Sequence, residues 1–248
     1  MDRAAFSHRL TTTLQDMYDR AATSRQGLLS PVPVSRGGEL LRQLGYPEEL
    51  IRQIPEKLQD CAFPCANPLP RITEFEPESL LDLGCGAGLD LLFAARTCPQ
   101  LDRLAGIENS TGLRDQAKKL LGRFPEEKKR ITLHAGDFNR LQRISPAPAD
   151  LILMNGSFNL VYDKPAFLRQ AKDALNPEGT LLIYDFLLTE ALPEGFSREP
   201  DNWLWNIGGA LPPADLDRIA GSIGLQVETI RKLERIDPVV RCEIVIKR

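Results

Sequence analysis

The sequence predicts an α/β protein with a doubly wound, mostly parallel sheet of seven strands and a helical cap at its N-terminal end. Three observations carry this prediction. Apolar, strand-like segments alternate with helix-like segments between about residues 79 and 186. A glycine-rich segment, residues 84–88, separates the first of these strands from the first helix. An amphipathic segment and a proline-rich region precede this alternating body.

Composition and charge exclude several kinds of protein. The chain has 248 residues, of which 42% are hydrophobic and 26% are charged, as is usual for a folded protein. Its 31 basic and 34 acidic side chains give a formal charge of −3, so it lacks the positive field that holds nucleic acids. No stretch approaches 18 consecutive apolar residues, and the first ten lack a secretory-signal pattern. We therefore expect a cytoplasmic monomer or weak homodimer that binds neither nucleic acid nor membrane.

The five cysteines indicate neither a disulfide framework nor a metal site. They stand at positions 61, 65, 85, 98 and 242, which is not the spacing of a small disulfide-bonded domain. Cys61 and Cys65 have the spacing with which a three-cysteine iron–sulfur motif begins, but Pro68 occupies the third position. Neither of the two histidines lies at a zinc-ligand spacing. We expect reduced thiols and no bound metal.

Residues 1–72 are expected to form an N-terminal extension or lid, and residues 73–248 the ligand-binding domain. Apolar side chains at steps of three and four predict a one-sided helix over residues 2–22. Repeated glycine and proline predict a loop over 23–38. Short helices follow over 38–44 and 47–53, the second opened by Pro47. Prolines and two cysteines predict mostly irregular chain over 54–72.

The body alternates regularly between strands and helices. We predict strands over 79–83, 103–108, 131–135, 151–155 and 180–186, and helices over 88–97, 111–124 and 164–175. A further helix over 211–223 ends at Gly224. Strands over 225–233 and 239–247 close the chain, and we expect them to pair as a hairpin at the edge of the sheet.

The strongest functional signal is the segment that runs from Asp82 to Asp90. Its glycines have the spacing G-x-G-x-G, which differs from the G-x-G-x-x-G of dinucleotide sites, and no Walker lysine follows. Glycines at a strand-to-helix turn let the backbone approach a ligand, and the helix N-terminus then faces that ligand. The pattern D-x-G-x-G-x-G resembles the first motif of class I methyltransferases that use S-adenosylmethionine (SAM). The resemblance implies SAM as cofactor and the following contacts in this segment: Asp82, Gly84, Cys85, Gly86, Gly88 and Asp90.

Two later strand ends agree with this resemblance. Glu108 ends the second strand, where a carboxylate can accept protons from both ribose hydroxyls, and Asn109 follows it. Asp137 and Phe138 follow the third strand, and the resemblance implies contacts of the acid with the adenine amino group and of the ring with adenine. Asn155 at the end of the fourth strand completes the predicted cofactor contacts.

Four segments resemble, more narrowly, the arsenite methyltransferase group of this superfamily. They are residues 65–68 (CANP), 86–90 (GAGLD), 155–160 (NGSFNL) and 206–211 (NIGGAL). Members of that group bind trivalent arsenic through several cysteine thiolates, because soft thiolates suit a soft element. The resemblance places one such position at Cys65, whereas Gly156 and Asn206 occupy two others. One thiolate cannot supply a three-sulfur site, so we expect the architecture of the group with an acceptor other than arsenite, either an arsenical with one exchangeable ligand or a different small molecule.

Methyl transfer depends mainly on positioning, and a general base is optional. We take Tyr18, Asn155 and Asp185 as catalytic candidates. The tyrosine could equally be structural, and the aspartate could equally cap a turn. The acceptor pocket is expected to involve Cys65, Ser157, Asn159, Trp203, Trp205 and Asn206. The two tryptophans could instead cover the edge of the core.

These observations predict a SAM-dependent methyltransferase that acts on a small molecule. One alternative is a thiol- or metalloid-directed methyltransferase of the arsenite type that uses Cys65. Another is a SAM-binding protein without catalysis, since cofactor contacts do not by themselves show turnover. A nicotinamide-dependent reductase is disfavoured by the spacing of the glycines.

Overall fold

A seven-stranded sheet forms the centre of the computed structural model, which describes residues 3–23, 35–204 and 206–248. The strands are β1 (Ser79–Leu83), β2 (Arg103–Glu108), β3 (Ile131–Ala135), β4 (Ala149–Asn155), β5 (Leu175–Leu188), β6 (Gln226–Ile236) and β7 (Val239–Lys247). Their order across the sheet is β3-β2-β1-β4-β5-β7-β6. The first five strands are parallel, and β7 runs antiparallel to both β5 and β6. The predicted doubly wound, mostly parallel sheet is therefore confirmed.

Helices cover both faces of this sheet. They are α1 (Arg3–Thr23), α2 (Gly37–Gln43), α3 (Glu48–Ile51), α4 (Glu56–Gln59), α5 (Leu69–Phe75), α6 (Leu89–Thr97), α7 (Thr111–Leu121), α8 (Pro125–Lys128), α9 (Leu141–Ile144), α10 (Lys164–Asp173) and α11 (Pro213–Gly221). Strand β1 is buried along its whole length because apolar helices pack on both of its faces. Two clusters of buried apolar side chains result, one on each face of the sheet.

The predicted helix over residues 2–22 corresponds to α1. Most of the predicted loop over 23–38 lies outside the described residues. The prediction of irregular chain over 54–72 is wrong in part. Helix α4 begins directly after Pro55, and α5 begins directly after Pro68 and carries Pro70 in its first turn, where a proline lacks no helical hydrogen bond. Helix α5 also spans the predicted domain boundary at residues 72 and 73.

Differences in the body concern the ends of elements. The predicted helix over 111–124 is divided, because α7 ends at Leu121 and the proline at the start of α8 opens a separate turn. Strand β5 is longer than predicted at both ends, since Leu175 pairs with Ala149 of β4 at its start and β7 pairs with it as far as Leu188. The predicted hairpin is present, with β6 at the edge of the sheet.

The order of the strands determines where a ligand can bind. From β1 the chain moves outward to β2 and β3, then crosses back and continues from β4 on the other side. Helices on either side of this reversal leave a crevice at the carboxyl ends of β1 and β4, which is where open α/β sheets bind ligands. Among the described residues no helix combines the length and apolar character that crossing a bilayer requires.

Candidate active site

The glycine-rich loop turns the chain sharply from β1 into α6. Gly84, Gly86 and Gly88 all have positive φ values, of 83°, 55° and 77°, which favour glycine. A β-carbon on Gly84 would lie 2.8 Å from the β-carbon of Ser157, so this glycine is needed for packing. A β-carbon on Gly86 would meet no atom of the described residues within 4 Å. Gly86 is therefore the glycine whose missing side chain leaves room for a ligand.

Gly88 has a different role, because it caps the N-terminus of α6. A β-carbon there would lie 3.3 Å from the β-carbon of Ala117, so Gly88 permits the close approach of α6 and α7. It does not line the cavity that the other two glycines border.

Asp82 is a buried carboxylate without a hydrogen-bond partner among the residues that the structure describes. Its side chain is 2% exposed and borders the cavity. Burial, together with the nearby carboxylates of Asp90 and Glu108, raises the pKa of Asp82 well above its usual value. A positively charged ligand group at this position would relieve both effects.

Glu108 ends β2 and faces the same cavity. Its Oε2 accepts a hydrogen bond from the backbone N–H of Gly86 at 3.0 Å, and its Oε1 accepts one from the N–H of Ser110 at 2.7 Å. Burial raises the pKa of Glu108, and these two N–H donors act against that rise. The carboxylate is thus held in a fixed orientation toward the loop.

A hydrogen-bonded network joins Asp90, Tyr46 and Asn155 at the side of the cavity. The hydroxyl of Tyr46 and the amide nitrogen of Asn155 donate to the two oxygens of Asp90, at 2.7 Å and 2.8 Å. Burial raises the pKa of Asp90 to about 6, and both donors oppose the increase. The amide oxygen of Asn155 accepts from the backbone N–H groups of Cys65 and Ala66.

Both ends of the Asn155 amide are therefore engaged with the protein. This geometry gives Asn155 a positioning role, in which it fixes the segment around Cys65 to the end of β4. The structure does not support its predicted catalytic role, because neither end of the amide is free to meet an acceptor.

These residues border one cavity of about 1000 Å³, which includes the space at its mouth. Of the predicted site residues, the following line it: Tyr18, Asp82, Gly84, Cys85, Gly86, Asp90, Glu108, Asn109, Asp137, Phe138, Asn155 and Ser157. The following do not: Cys65, Gly88, Asn159, Asp185, Trp203 and Asn206.

Asp137 and Phe138 lie next to each other at the end of β3, as the sequence predicts. Asp137 Oδ1 accepts hydrogen bonds from the backbone and side-chain nitrogens of Asn139, both at 2.9 Å. The ring of Phe138 packs edge-on against Phe167, 6.3 Å away, and is held there at the wall of the cavity. The other carboxylate oxygen of Asp137 accepts no hydrogen bond from the part of the chain that the structure describes, and it is the oxygen that a ligand amino group would meet.

Helix α1 closes the cavity from above. Tyr18 lines it and packs against Phe63, with ring centroids 6.2 Å apart. Burial, and then the charges of Glu108 and Asp185, raise the pKa of Tyr18 above its usual range. The tyrosine hydroxyl therefore stays protonated at neutral pH, so that it can donate a hydrogen bond but is unsuited to accept a proton as a base.

Asp185 is fully buried beneath the wall of the cavity. Its two oxygens accept hydrogen bonds from the backbone N–H groups of Asn159 and Phe186, each at 2.9 Å. Burial raises its pKa to about 7. The structure does not support the predicted role as a base toward an acceptor, because Asp185 does not reach the cavity.

Lys164 is buried, although its position in the sequence does not indicate a role in the site. Its ammonium group donates to the backbone oxygen of Val161 at 3.0 Å and lies 5.0 Å from the ring centroid of Phe158. Burial lowers its pKa to about 7, and the charge of Asp185 opposes this. Nothing in the sequence distinguishes this lysine from the exposed ones, since it stands at the start of an amphipathic helix.

Cys65, Gly156 and Asn206 converge in space, although they are far apart in the chain. A β-carbon on Gly156 would lie 3.3 Å from the sulfur of Cys65 and 3.6 Å from the amide nitrogen of Asn206. That nitrogen donates to the backbone oxygen of Gly156 at 2.8 Å. Burial raises the pKa of the Cys65 thiol well above its usual value, so this sulfur is a neutral thiol at neutral pH.

The other acceptor-pocket candidates lie behind this cluster and form hydrogen bonds with neighbouring segments. Ser157 donates to the backbone oxygen of Leu83 at 2.6 Å, and Asn159 donates to the backbone oxygens of Phe186 and Asn206. The amide oxygens of Asn159 and Asn206 are buried without hydrogen-bond partners among the described residues. The amide nitrogens of these two residues, which do form hydrogen bonds, hold neighbouring loops in place.

Trp203 is buried beside this region and supports the loop that follows it. Its indole N–H donates to the backbone oxygen of Ser197 at 3.0 Å, and β-carbons on Gly208 and Gly209 would each lie 2.5 Å from its ring. This close packing agrees with the alternative that the tryptophan covers the core edge. Trp205 lies outside the described residues.

Several cavity residues were not found by reading the sequence. Thr11, Leu14 and Gln15 line the cavity from α1, Phe63 and Pro64 from the segment after α4, and Tyr46 from the segment between α2 and α3. The face that carries Tyr18 on the amphipathic helix could have indicated Thr11 and Gln15. Phe63, Pro64 and Tyr46 lie in turns that have no recognisable motif.

The residues present fit SAM. The open space at Gly86 accommodates a ligand close to the backbone, and the unpartnered carboxylate of Asp82 matches a cationic group. Carboxylates at the ends of β1 and β2 and an acid beside an aromatic ring after β3 complete a donor set for a nucleoside with a charged tail. In the described part of the chain, no cluster of His, Cys, Asp and Glu could hold a metal.

Fold and site together define a class I methyltransferase, the Rossmann-like class whose members take a methyl group from SAM. A family profile described as "Methyltransferase domain" matches residues 75–234, and the chain belongs to that family.

Curated relatives carry the name arsenite methyltransferase. The protein of Halobacterium salinarum is 22% identical over 188 residues, which cover 76% of this chain and 47% of the relative. That of Mus musculus is 26% identical over 185 residues, which cover 72% of this chain and 49% of the relative. The chain thus spans about half the length of the curated relatives it matches.

A solved structure of an arsenic(III) S-adenosylmethionine methyltransferase from Chlamydomonas reinhardtii has a TM-score of 0.66. It is 22% identical, and the match covers 79% of this chain and 70% of that one. At this level of identity the likeness shows the fold.

Proposed function

We propose that the protein is a SAM-dependent methyltransferase whose acceptor is a small molecule. The observation that carries this proposal is the buried, unpartnered carboxylate of Asp82 beside the open space at Gly86, within a cavity that Glu108 and Asp137 also line. Residues 1–72 would act as the lid of this cavity, and residues 73–248 as the cofactor-binding domain. The cytoplasmic location and the monomeric or weakly dimeric state remain predictions.

Each of these residues has a task in holding SAM. Asp82 would balance the positive charge of the methionine part, and Glu108 would accept hydrogen bonds from the ribose hydroxyls. Asp137 would accept from the adenine amino group, while Phe138 flanks the adenine ring. SAM supplies an electrophilic methyl group on a positively charged sulfur.

On the acceptor side, the chain positions the substrate and excludes water. Helix α1 covers the cavity, and Leu14, Phe63 and Leu160 give it an apolar wall. Exclusion of water favours a reaction in which positive charge disperses. Tyr18, which stays protonated, would donate a hydrogen bond to the acceptor. No lysine, arginine or histidine lines the cavity within the described ranges, which favours an acceptor that needs no strong protein base.

A thiol- or metalloid-directed reaction is the second candidate. It is supported by the names of the curated relatives and by the convergence of Cys65, Gly156 and Asn206. The buried, protonated thiol and the glycine and asparagine at the other two positions speak against it. Replacing Cys65 by Ser separates the two: an unchanged rate with a non-metalloid acceptor would exclude the thiolate-dependent reaction.

An O-methyltransferase reaction is one form of the first candidate. The O-methyltransferase of a trans-AT PKS multienzyme of Brevibacillus brevis, solved with S-adenosyl-L-homocysteine (SAH), has a TM-score of 0.55 with this chain at 14% identity. That match covers 69% of this chain and 67% of that one. We take phenols as the starting class of acceptor, because they ionise without a strong base.

The test is an assay with methyl-labelled SAM and a panel of phenols, thiols and trivalent arsenicals. We expect transfer to a phenol and none to a thiol or to arsenite. Transfer to a thiol or to arsenite alone would favour the second candidate. Stoichiometric SAM binding without transfer to any acceptor would favour a SAM-binding protein without catalysis.

A further inference from the structure

Helix α1 crosses the carboxyl edge of the sheet and is attached at both ends. Near its start, the ring of Phe6 lies 5.9 Å from that of Trp203, on the side of β4 and β5. Near its end, Asp19 contacts the first turn of α7, on the side of β2. Between these attachments, Gln15 and Tyr18 face the cavity. The helix therefore lies across the ligand site and is held on both sides of it.

The attachment at Asp19 consists of two hydrogen bonds to one carboxylate oxygen. Asp19 Oδ1 accepts from the hydroxyl of Ser110 at 2.5 Å and from the backbone N–H of Gly112 at 2.8 Å. Ser110 is the N-cap of α7, and its hydroxyl in turn accepts from the N–H of Leu113 at 3.1 Å. A negative charge is favourable at this end of a helix, where backbone N–H groups lack helical partners.

The packing around Asp19 is close, which shows that α1 is fitted to this position. A β-carbon on Gly112 would lie 2.9 Å from the β-carbon of Ala22 and 3.3 Å from the α-carbon of Asp19. One turn further along α7, the side-chain nitrogen of Gln116 donates to the backbone oxygen of Ala22 at 2.9 Å. Any larger residue at position 112 would force the two helices apart.

Ser110 joins this attachment to the cofactor site. Its hydroxyl donates to Asp19, and its backbone N–H donates to Glu108 Oε1 at 2.7 Å. The carboxylate on the lid and the carboxylate assigned to the ribose are thus held by the same residue. Any shift of Glu108 or of Asp19 therefore acts on a hydrogen bond of Ser110.

We propose that Asp19 is a positioning residue that couples closure of α1 to occupancy of the cofactor site. The inference rests on the proposed function, because it takes the ligand at Glu108 to be SAM or its product SAH. Release of the bound cofactor then requires the two hydrogen bonds of Asp19 to break. Hydrogen bonds to a charged group are strong enough for this step to limit release.

The test compares the dissociation rate of SAH from the full chain and from its variants by stopped-flow displacement with excess SAM. Asp19→Ala removes the acceptor, and Asp19→Asn keeps one acceptor oxygen of similar position. Asp16→Ala is the matched control, since Asp16 is exposed on the same helix. We expect dissociation at least tenfold faster in Asp19→Ala, within threefold of the native rate in Asp19→Asn, and unchanged in Asp16→Ala.

Hydrogen exchange provides a readout that would not change if the role of Asp19 were purely structural. SAH should slow exchange of the amides of residues 11–18 in the native chain, and it should fail to do so in Asp19→Ala. If Asp19→Ala does not fold, Gln116→Ala removes the neighbouring hydrogen bond, and we expect it to speed dissociation at least threefold. Native-like rates and protection in the folded variants would overturn the inference. Absence of SAH binding to the folded native chain would instead overturn the proposed function.

Discussion

A β-carbon added to Gly156 would lie 3.3 Å from the sulfur of Cys65, across 91 positions of the chain. The amide nitrogen of Asn206 is almost as close to that carbon, at 3.6 Å. Three positions that the resemblance to arsenite methyltransferases associates with thiolates therefore meet in this fold, although only one holds a cysteine. The three positions lie close together, but Gly156 and Asn206 supply no sulfur.

Cysteines introduced at positions 156 and 206 should create a site for trivalent arsenic. We expect the native chain to show no stoichiometric binding of arsenite, and the double variant Gly156→Cys/Asn206→Cys to bind it at micromolar concentration, because three thiolates suit the element. Calorimetric titration with arsenite measures this. Gly156 and Asn206 have φ values of 79° and 58°, so each substitution costs about 1 kcal/mol of stability.

The matched control is Gly156→Ser/Asn206→Ser, which carries the same backbone cost without the sulfurs. Tight binding of arsenite to the native chain, or equal binding by the serine and cysteine variants, would contradict the prediction.

Two glycines of the loop should respond differently to alanine. Both substitutions place a side chain at positive φ, at a cost of about 1–2 kcal/mol. Gly84→Ala also drives a β-carbon to within 2.8 Å of Ser157, whereas that of Gly86→Ala enters empty space. We expect the larger fall in melting temperature for Gly84→Ala and the larger loss of SAH affinity, at least tenfold, for Gly86→Ala.

Thermal unfolding without ligand and calorimetric titration with SAH separate the two effects. Equal affinity of Gly86→Ala and the native chain would show that the ligand does not approach this part of the loop.

Binding of SAM should strengthen as the pH rises through about 6. Burial raises the pKa of Asp90 to about 6 and that of Asp82 above its usual value, so both carboxylates lose charge as the pH falls. A cationic ligand prefers the charged form, and its binding therefore releases protons in this range. Titrations between pH 5 and pH 8 should show weaker affinity at the acidic end. SAH lacks the charged sulfur and should depend less on pH.

An affinity for SAM that does not change, or that increases toward pH 5, would contradict this account of the cavity charges. In Asp90→Asn the dependence near pH 6 should become smaller.

Glu243, on β7 and outside the cavity, should be the main acid-sensitive stabilising group. Its buried carboxylate contacts Arg71, Arg231 and the hydroxyl of Tyr184, at 2.8 Å, 2.7 Å and 2.9 Å. Burial opposes its charge, but these donors lower its pKa to about 2. Because the pKa is lowered by folding, the stabilisation is complete above about pH 4.5 and is lost as the pH falls toward 2.

We expect Glu243→Gln to cost about 3 kcal/mol of unfolding free energy at pH 7, and the difference from the native chain to roughly halve by pH 3. Denaturant unfolding at the two pH values measures it. Glu234→Gln is the control, since this glutamate is largely exposed in its pair with Arg241 and should cost less than about 1 kcal/mol. The assignment of Glu243 as an acid-sensitive stabilising group would be contradicted by either of two results. One is a loss of unfolding free energy in Glu243→Gln that is no larger than in Glu234→Gln, and the other is a loss that grows at pH 3.

The sequence predicts the body of the fold because each strand there is a short apolar run bounded by turn residues. Residues 79–83, 103–108 and 131–135 are strands in the structure as predicted. The glycine loop could be predicted equally well, because its residues act through a backbone conformation that the local sequence determines.

Side-chain roles were harder to predict where partners are distant in the chain. The amide of Asn155 is engaged by the backbone of residues 65 and 66, about 90 positions earlier, and Asp185 is engaged by the backbone of Asn159. A polar residue at the end of a strand gives the same sequence pattern whether it contacts a ligand or supports a loop. Asp19 shows the reverse case, because only the packing of α1 on α7 distinguishes it from the exposed Asp16.

The central claim is that the cavity beside Asp82 and Gly86 binds SAM, and calorimetric titration of the native chain with SAM and with SAH tests it most directly. The account predicts one site per chain with micromolar affinity for both ligands, and loss of that site in Gly86→Ala. A folded sample that binds neither ligand at millimolar concentration, with or without the acceptor panel, would contradict it.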